Sequence, residues 1–276
     1  MLHSRNRGFA KWLSTAVALL IVGLMLFPLA WVVLSSFQPA AAFFDSSPSV
    51  IPKEFTLTNL QVLSDQIRPL ITTILVATFT AIFSLVVAIP AAYALGSFGW
   101  RRTPLWLFLI LLTQIVPAVL LATPLFLIFS KLNLLNSIPG LVIANSTVGI
   151  PFALLILTAF MANFPKELRE AAYVDGAGEW RTLISVVLPP SRSAVIAAGL
   201  FCFLFAWGDF IWALTMNTNG KVIPLSLSIF SYFNAYEIDW GAIMMTASFS
   251  LIPALVLLVV AQRYISIGLT AGAVKE

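Results

Sequence analysis

The stretch FPKELREAAYVDGAGEWRTLISVVLPPSR, residues 164–192, decides how this chain is organised, because it is the main charged segment of a very apolar sequence. It holds eight of the chain's 26 charged residues and lies between two long apolar runs. Asp175-Gly176 supplies a helix end followed by a turn. The segment therefore predicts two short helices outside the apolar runs, the second ending before Pro189-Pro190.

The composition around this segment points to a membrane protein. Hydrophobic residues make up 60% of the 276, charged residues 9%, and the mean hydropathy is +1.00. A soluble domain has about 45–50% apolar and about 25% charged residues. The expected solvent is therefore a bilayer. Backbone groups in lipid can form hydrogen bonds only within the protein, which restricts spanning segments to helices and closed barrels. No run alternates apolar and polar residues as a barrel strand does, so we predict an all-α integral membrane protein.

The apolar runs predict the number of spans. A helix needs about 20 mainly apolar residues to cross about 30 Å of hydrocarbon. Six windows qualify, and together they predict one transmembrane domain over residues 1–276: 12–37, 70–95, 104–130, 138–163, 193–216 and 241–264. The first window resembles a signal peptide, but its apolar core exceeds the ~7–15 residues of a signal sequence. We interpret it as a retained anchor, with cleavage near Ala40–Ala42 as the alternative.

The distribution of Lys and Arg predicts the orientation. With the N-terminus inside, eleven of the fifteen basic residues lie on the inner side. The outer side holds four: Lys53, Arg68, Lys131 and Lys221. This asymmetry predicts that both termini and the 164–192 loop are cytoplasmic. The net charge of +4 then follows from topology, and no nucleic-acid partner is needed to explain it.

The sequence argues against catalysis by this chain. Cys202 is the only cysteine and His3 the only histidine, so we expect no clustered metal site. The P-loop pattern Gly-x4-Gly-Lys-[Ser/Thr] is missing, since Gly220-Lys221 is followed by Val222. We therefore predict a non-enzymatic subunit without a cofactor, which takes its energy from a partner.

The 164–192 segment has the features of a docking surface. In the first short helix, Leu168, Ala171 and Ala172 share a face, with Glu170 beside them. The second helix carries an apolar stripe: Trp180, Leu183 and Val187. Small alanines let a partner approach closely, and the carboxylate can determine register by charge pairing. We interpret the segment as a docking surface, with a solvated loop as the alternative.

The same segment carries a family resemblance. It resembles the EAA loop of ABC-importer permeases in its residues and their spacing: Glu170, Ala171, Ala172, Asp175, Gly176, Ala177, Ile184, Leu188 and Pro189. Trp207-Gly208-Asp209-Phe210 resembles a stretch of sugar-importer permeases, departing from it at Gly208 and Asp209. The C-terminus resembles that of the six-span maltose-type permease subunit up to its last residues, Gly272, Ala273, Val274 and Lys275, and departs from it at Glu276.

This resemblance implies a type I importer permease in the bacterial inner membrane. Its implied partners are a second permease subunit in a heterodimer, two ATP-binding ATPase subunits, an external solute-binding protein and a carbohydrate. It also implies that Glu170 pairs with a basic residue of the ATPase and that Gly176 turns between the docking helices. The tail from Gly272 to Lys275 would reach between the ATPase subunits. Importers of polyamine or glycerol phosphate, a stand-alone secondary transporter and a membrane enzyme are the alternatives.

Polar residues within the predicted spans are candidates for the solute path, because polar groups at membrane depth face a cavity or a neighbouring helix. The polar candidates are Gln114, Asn145 and Asp209, and Trp212 is added because its aromatic face can pack against a sugar ring. Interhelical contacts are the alternative for the two amides. Asp209 is the only acidic residue in a predicted span, and we expect it to share a helical face with Trp212. It would bind solute or form an ion pair with the partner permease.

Overall fold

The computed structural model describes residues 3–44, 51–233 and 238–271, with side chains over 11–44, 51–233 and 238–262. Over these ranges the regular structure is helical, with turns and loops between the helices and an isolated antiparallel bridge between Phe233 and Ile238. The predicted all-α class is confirmed.

The helices follow one another in chain order. They are α1 (His3–Ser35), α2 (Leu63–Ser97), α3 (Thr103–Ile115), α4 (Ala118–Lys131), α5 (Ile138–Ala162), α6 (Lys166–Val174), α7 (Glu179–Thr182), α8 (Arg192–Trp207), α9 (Ile211–Met216), α10 (Leu225–Phe230) and α11 (Trp240–Ala271). A π-helical turn over Leu183–Val187 continues α7, and 3-10 helices occupy Ala40–Phe44 and Thr58–Val62.

Four continuous helices are long and apolar enough to cross a membrane. They cover Lys11–Ser35, Thr58–Ser97, Ile138–Ala162 and Trp240–Gln262, and the number rises to six if each of two bent helix pairs counts as one span. Four of the six predicted windows therefore correspond to continuous helices. The other two windows differ from the structure in an informative way.

The third window, 104–130, is wrong as one continuous helix. Helices α3 and α4 meet at 92° around Val116 and Pro117. Val116 is extended, with φ −72° and ψ 118°, because the ring of a following proline disfavours the helical conformation. The 13 residues of α3 would rise only about 20 Å, too short to cross the hydrocarbon core alone.

The fifth window, 193–216, is also wrong as one continuous helix. Helix α8 ends at Trp207, and α9 starts again at Ile211. Gly208 and Asp209 stand in the break, and both are poor helix formers because glycine is flexible and aspartate competes for backbone donors. At its other end, α8 meets the Glu179–Val187 segment at 92°.

The chain divides into two compact units. The first comprises Met1–Gln66 and Ile229–Leu251. Within it, Asn59 Nδ2 donates to the carbonyl oxygens of Ser36 and Gln38, each at 2.9 Å. No residue of α1 from Lys11 to Leu34 is buried in this chain, so the apolar side chains of this part of α1 are available to lipid or to another subunit.

The second unit comprises Ile67–Ser228 and Ile252–Glu276. Its core is built where α5 packs on α8 and α2, around small side chains that are completely buried: Ala88, Ala92, Ala153, Ala198 and Cys202. A Cβ placed on Gly96 would lie 2.9 Å from both Ala162 N and Thr158 O. Small residues at this contact let the backbones approach, as is usual between helices in membranes.

Candidate docking surface and membrane-depth polar site

The turn between α6 and α7 is a Schellman motif. Ala177 N donates to Ala172 O at 2.9 Å, and Gly176 N donates to Tyr173 O at 3.0 Å. Gly176 has a φ of +80°, which a side chain would strain. The predicted helix end and turn at Asp175-Gly176 are therefore confirmed, and the backbone carbonyls at the end of α6 are satisfied locally.

Helices α6 and α7 expose large apolar side chains. The exposed fraction is 88% for Val174 and 66% for Trp180, and Leu168 and Ile184 are also exposed. Glu170 and Ala171 are also exposed, and their spacing from Val174 places all three on one face of α6. A loop that only meets water has no reason to expose several large apolar side chains beside a carboxylate.

The buried side of this segment differs from the predicted faces. Of Leu168, Ala171 and Ala172, only Ala172 is buried. Leu183 and Val187 are buried as the α7 stripe predicts, but Trp180 is exposed. The faces predicted as apolar are thus divided between the core of this chain and its surface.

The segment ends in a sharp turn into α8. Leu188 N donates to Leu183 O at 2.8 Å, which closes the π-helical turn, and the Ser191 hydroxyl donates to Val187 O at 2.6 Å. Leu188 is half-buried and Pro189 is exposed. The Leu-Pro pair thus stands where the 164–192 segment bends into α8.

Arg169 was missed as a site residue by the sequence analysis. Its side chain is only 8% exposed, and its Nη1 donates to the Ser97 carbonyl oxygen at 2.7 Å. Ser97 ends α2, where carbonyls lack helical partners and a cation is favoured by the helix dipole. The spacing of Arg169 and Ala172 places both on one face, a signal that could have shown which side of α6 is buried.

Glu179 forms a second attachment to α2. Its Oε2 accepts hydrogen bonds from the hydroxyls of Tyr93 and Tyr173, each at 2.9 Å. Tyr93 lies on α2 and is 4% exposed. No local pattern links residues 86 positions apart, so this cluster could not be found from periodicity.

Asp209 occupies the break between α8 and α9 and acts as a cap. Its Oδ1 accepts from Trp212 N, and its Oδ2 from Ala213 N, each at 3.2 Å. Asn145 Nδ2 donates to the same Oδ2 at 3.4 Å, and the Ser226 hydroxyl donates to the Asp209 carbonyl. The carboxylate therefore satisfies N–H groups that the start of α9 leaves without helical partners.

The predicted path residues are only partly brought together. Asn145, Asp209 and Trp212 are neighbours, but no described contact joins Gln114 to them; its Nε2 donates to Thr113 Oγ1 at 3.3 Å. Trp212 is 1% exposed in an apolar cluster, so its ring does not lie on the accessible surface of this conformation. Asn145 is equally buried, whereas Asp209 and Gln114 are partly exposed.

The predicted ATPase-contacting tail, Gly272 to Lys275, lies outside the described residues. Helix α11 extends as far as Ala271.

Comparison with known proteins gives consistent matches. The family model for the binding-protein-dependent transport system inner membrane component matches residues 85–267. The sulfoquinovosyl glycerol transport system permease protein SmoH of Agrobacterium fabrum is 32% identical, over 94% of this chain and 92% of its own. The trehalose/maltose transport system permease protein MalG of Thermococcus litoralis is 30% identical, over 94% of each chain.

A solved structure has the same fold. A chain from the crystal structure of a bacterial ABC transporter involved in the import of the acidic polysaccharide alginate superposes with a TM-score of 0.75. The match covers 96% of this chain and 98% of that chain, at 21% identity. At that identity the likeness concerns the fold.

Proposed function

Because the chain belongs to the family of binding-protein-dependent transport system inner membrane components, we propose that it forms half of a carbohydrate path in an ABC importer. The family and the type I permease fold predicted from the sequence are confirmed. The family is one of transport subunits, and ATP hydrolysis by separate ATPase subunits is part of the proposal.

A carbohydrate is the solute class that the relatives support. Their names refer to sulfoquinovosyl glycerol and to trehalose and maltose, which share sugar rings with many hydroxyls. Polyamine and glycerol phosphate, the alternatives from the sequence, have no support from these names.

The observation that carries the proposed coupling is the exposed surface of α6 and α7. Val174 and Trp180 offer apolar area, and Glu170 offers a carboxylate to a basic residue of an ATPase subunit. Ala171 has no bulk to keep that partner at a distance. The Gly176 turn holds the two helices in one orientation, so movement of the ATPase would be transmitted as a push on a firm element.

The remaining partners follow from the same assembly. The proposal includes a second permease subunit in a heterodimer, an external solute-binding protein and two ATPase subunits, with residues 272–275 reaching between the latter. It places the chain in the bacterial inner membrane with both termini in the cytoplasm, as the Lys and Arg asymmetry predicts.

For the solute path, the geometry suggests a division of roles among the four candidates. Gln114 and Asp209 are partly exposed and are proposed to line the path. Asn145 and Trp212 are buried and are proposed to act behind Asp209, through the Asn145 amide and the Trp212 backbone N–H that orient its carboxylate.

The test uses the complete importer reconstituted in liposomes. Uptake of labelled mono-, di- and oligosaccharides, a polyamine and glycerol phosphate is measured with ATP inside. We expect uptake of at least one carbohydrate, and uptake of the polyamine or glycerol phosphate alone would contradict the solute class. In parallel, Val174→Cys in a Cys202→Ser background should cross-link to the ATPase subunit, with Lys221→Cys as the control that should not.

A further inference from the structure

The docking helices are attached to α2 by two groups of polar contacts, here called the α2 clamp: Tyr93, Ser97, Arg169, Tyr173 and Glu179. We propose that Arg169 and Glu179 are positioning residues that hold α6 and α7 on the Ser97 end of α2. Movement of the docking helices would then move α2 together with α5 and α8. This inference rests on the proposed function, since it presumes that α6 and α7 dock on an ATPase.

Chain connectivity alone does not link the docking helices to α2. The segment continues from α5, which ends at Ala162, and leads into α8, which starts at Arg192. Any displacement of α6 and α7 is therefore transmitted to α5 and α8 through the backbone. Helix α2 ends 69 residues before α6 begins, so it can follow only through its packing on α5 and through side-chain contacts with the docking helices themselves.

The Glu179 carboxylate joins three helices at one oxygen. Tyr93 from α2 and Tyr173 from α6 both donate to Oε2 of Glu179 on α7, and the two hydroxyl oxygens are 3.3 Å apart. Hydrogen bonds to an ionised carboxylate are about twice as strong as neutral ones. Because Tyr93 is almost completely buried, it provides the immobile side of this attachment.

The Arg169 guanidinium provides a second attachment through the backbone of α2. Its Nη1 bond to Ser97 O is short, at 2.7 Å, while its Nε has no hydrogen-bond partner among the described residues. Burying a cation is costly unless its surroundings compensate it. Arg169 lies on the buried side of α6, so it is not part of the face that is proposed to dock. Docking alone therefore does not explain why a cation is buried at this position. Attachment to the α2 C-terminus gives the residue a role.

Leu183 and Val187 share an apolar cluster with Tyr93 of α2, but this packing is incomplete beside the Glu179 carboxylate. A cavity of about 180 Å³ is lined by Pro90, Tyr93, Phe98, Glu179, Trp180 and Leu183. Since side chains facing a cavity lose part of their contacts, the polar contacts carry a larger share of the attachment. Removing them should loosen α7 from α2 without disturbing the core that α5 and α8 form.

The experiment measures solute moved per ATP hydrolysed by the complete importer in liposomes. Tyr93→Phe, Tyr173→Phe and the double variant remove the hydroxyls while keeping the rings. Loss of charge-assisted bonds should shift the equilibrium between attached and detached docking helices about tenfold toward detachment. We expect solute per ATP to fall several-fold in the double variant. Glu54→Gln, at an exposed glutamate outside α6 and α7, is the control and should leave the ratio unchanged.

A double-mutant cycle separates positioning from a general loss of stability. Glu179→Gln should lower the ratio in the wild-type background but have little further effect in the Tyr93→Phe/Tyr173→Phe background, since interacting residues are not additive. If Tyr93→Phe does not assemble, the double-mutant cycle is measured with Tyr173→Phe and Glu179→Gln, because both of these residues are exposed. Arg169→Met, compared with the exposed Lys166→Met, tests the second attachment in the same way.

The outcomes distinguish this inference from the proposed function. An unchanged ratio in all clamp variants, with the Val174→Cys cross-link to the ATPase intact, overturns the inference alone. Reduced assembly with an unchanged ratio in the assembled fraction also overturns it, because the contacts would then be merely structural. If Val174→Cys does not cross-link to the ATPase subunit in an importer whose clamp residues are unchanged, the proposed docking is contradicted instead.

Discussion

Glu179 and Asp209 are two carboxylates of one compact unit that serve different purposes. Each accepts several hydrogen bonds, but Glu179 receives side-chain hydroxyls from residues 86 and 6 positions away, whereas Asp209 receives backbone N–H groups 3 and 4 positions ahead. Glu179 joins separate helices. Asp209 mainly completes the start of the next helix.

The difference comes from how the backbone is satisfied at each place. At the end of α6, the Gly176 turn pairs the free carbonyls with backbone N–H groups, so the nearby acid is available for longer-range contacts. At the break before α9, lipid offers no hydrogen-bond partner to the free N–H groups. Each of these groups would cost free energy if it had no acceptor within the protein. The nearest carboxylate is therefore used locally.

The largest expected effect concerns the side of the membrane on which each region lies. The turn before Glu179 is expected in the cytoplasm, and the loop after α9 is expected outside. In a Cys202→Ser background, Gly178→Cys should react with an impermeant thiol reagent only from the cytoplasmic side, and Lys221→Cys only from outside. Gly178 tolerates the change, because a Cβ there meets nothing within 4 Å. Labelling in intact and in opened cells measures this, and reaction of position 178 in intact cells would overturn the topology.

The next effect concerns the docking surface. Glu170→Lys should abolish most solute-stimulated ATP hydrolysis, because a charge-assisted hydrogen bond worth about 1.5–3 kcal/mol is replaced by repulsion. ATPase activity of the purified complex and co-purification of the ATPase subunit are the measurements. Glu54→Lys, with the same charge change at an exposed glutamate outside α6 and α7, is the control. Equal coupling in Glu170→Lys and the wild type would remove the role given to Glu170.

The smallest effect concerns the cap at the break. Asp209→Ala should destabilise the complex by about 0.5–2 kcal/mol, because the N–H groups of Trp212 and Ala213 lose their acceptor. Asp209→Asn keeps one acceptor oxygen and should cost less. Thermal unfolding of the purified complex compares the two variants.

The same pair of variants tests the proposed path. If Asp209 lines it, Asp209→Asn should assemble normally but transport more slowly, because the amide cannot replace the charge toward solute hydroxyls. Wild-type transport by Asp209→Asn across solute concentrations would restrict Asp209 to its role as a cap.

The breaks within two of the predicted spans show that neither hydropathy nor the presence of proline predicts where a helix is interrupted. Proline stands inside continuous helices at Pro28, Pro90, Pro151 and Pro253, whereas Pro117 separates α3 from α4. All of these prolines lie in apolar windows, so a window average cannot tell them apart. Whether a helix bends or breaks at proline depends on what neighbouring elements offer to the freed backbone groups.

Arg169 and Trp212 show the same limit for single side chains. Arg169 counted as one more basic residue on the inner side, and Trp212 as an aromatic ring for a sugar. In the structure both are buried, one against the end of α2 and the other in an apolar cluster. Periodicity places residues on a common face but does not say what that face meets.

The sequence by itself determined the solvent, the helical class, the approximate place of the spans, the charged 164–192 segment with its turn at Gly176, and the family. Each of these depends on composition or on residues close together in the chain. Only the tertiary structure decided the breaks at Val116-Pro117 and Gly208-Asp209, the α2 clamp and the partners of Asp209. The clamp joins residues up to 86 positions apart, and Asn145 meets Asp209 across 64 positions, so these contacts are determined by how the helices pack. The breaks use local residues, but whether such a residue bends or breaks a helix depends on what the neighbouring elements offer to the freed backbone groups.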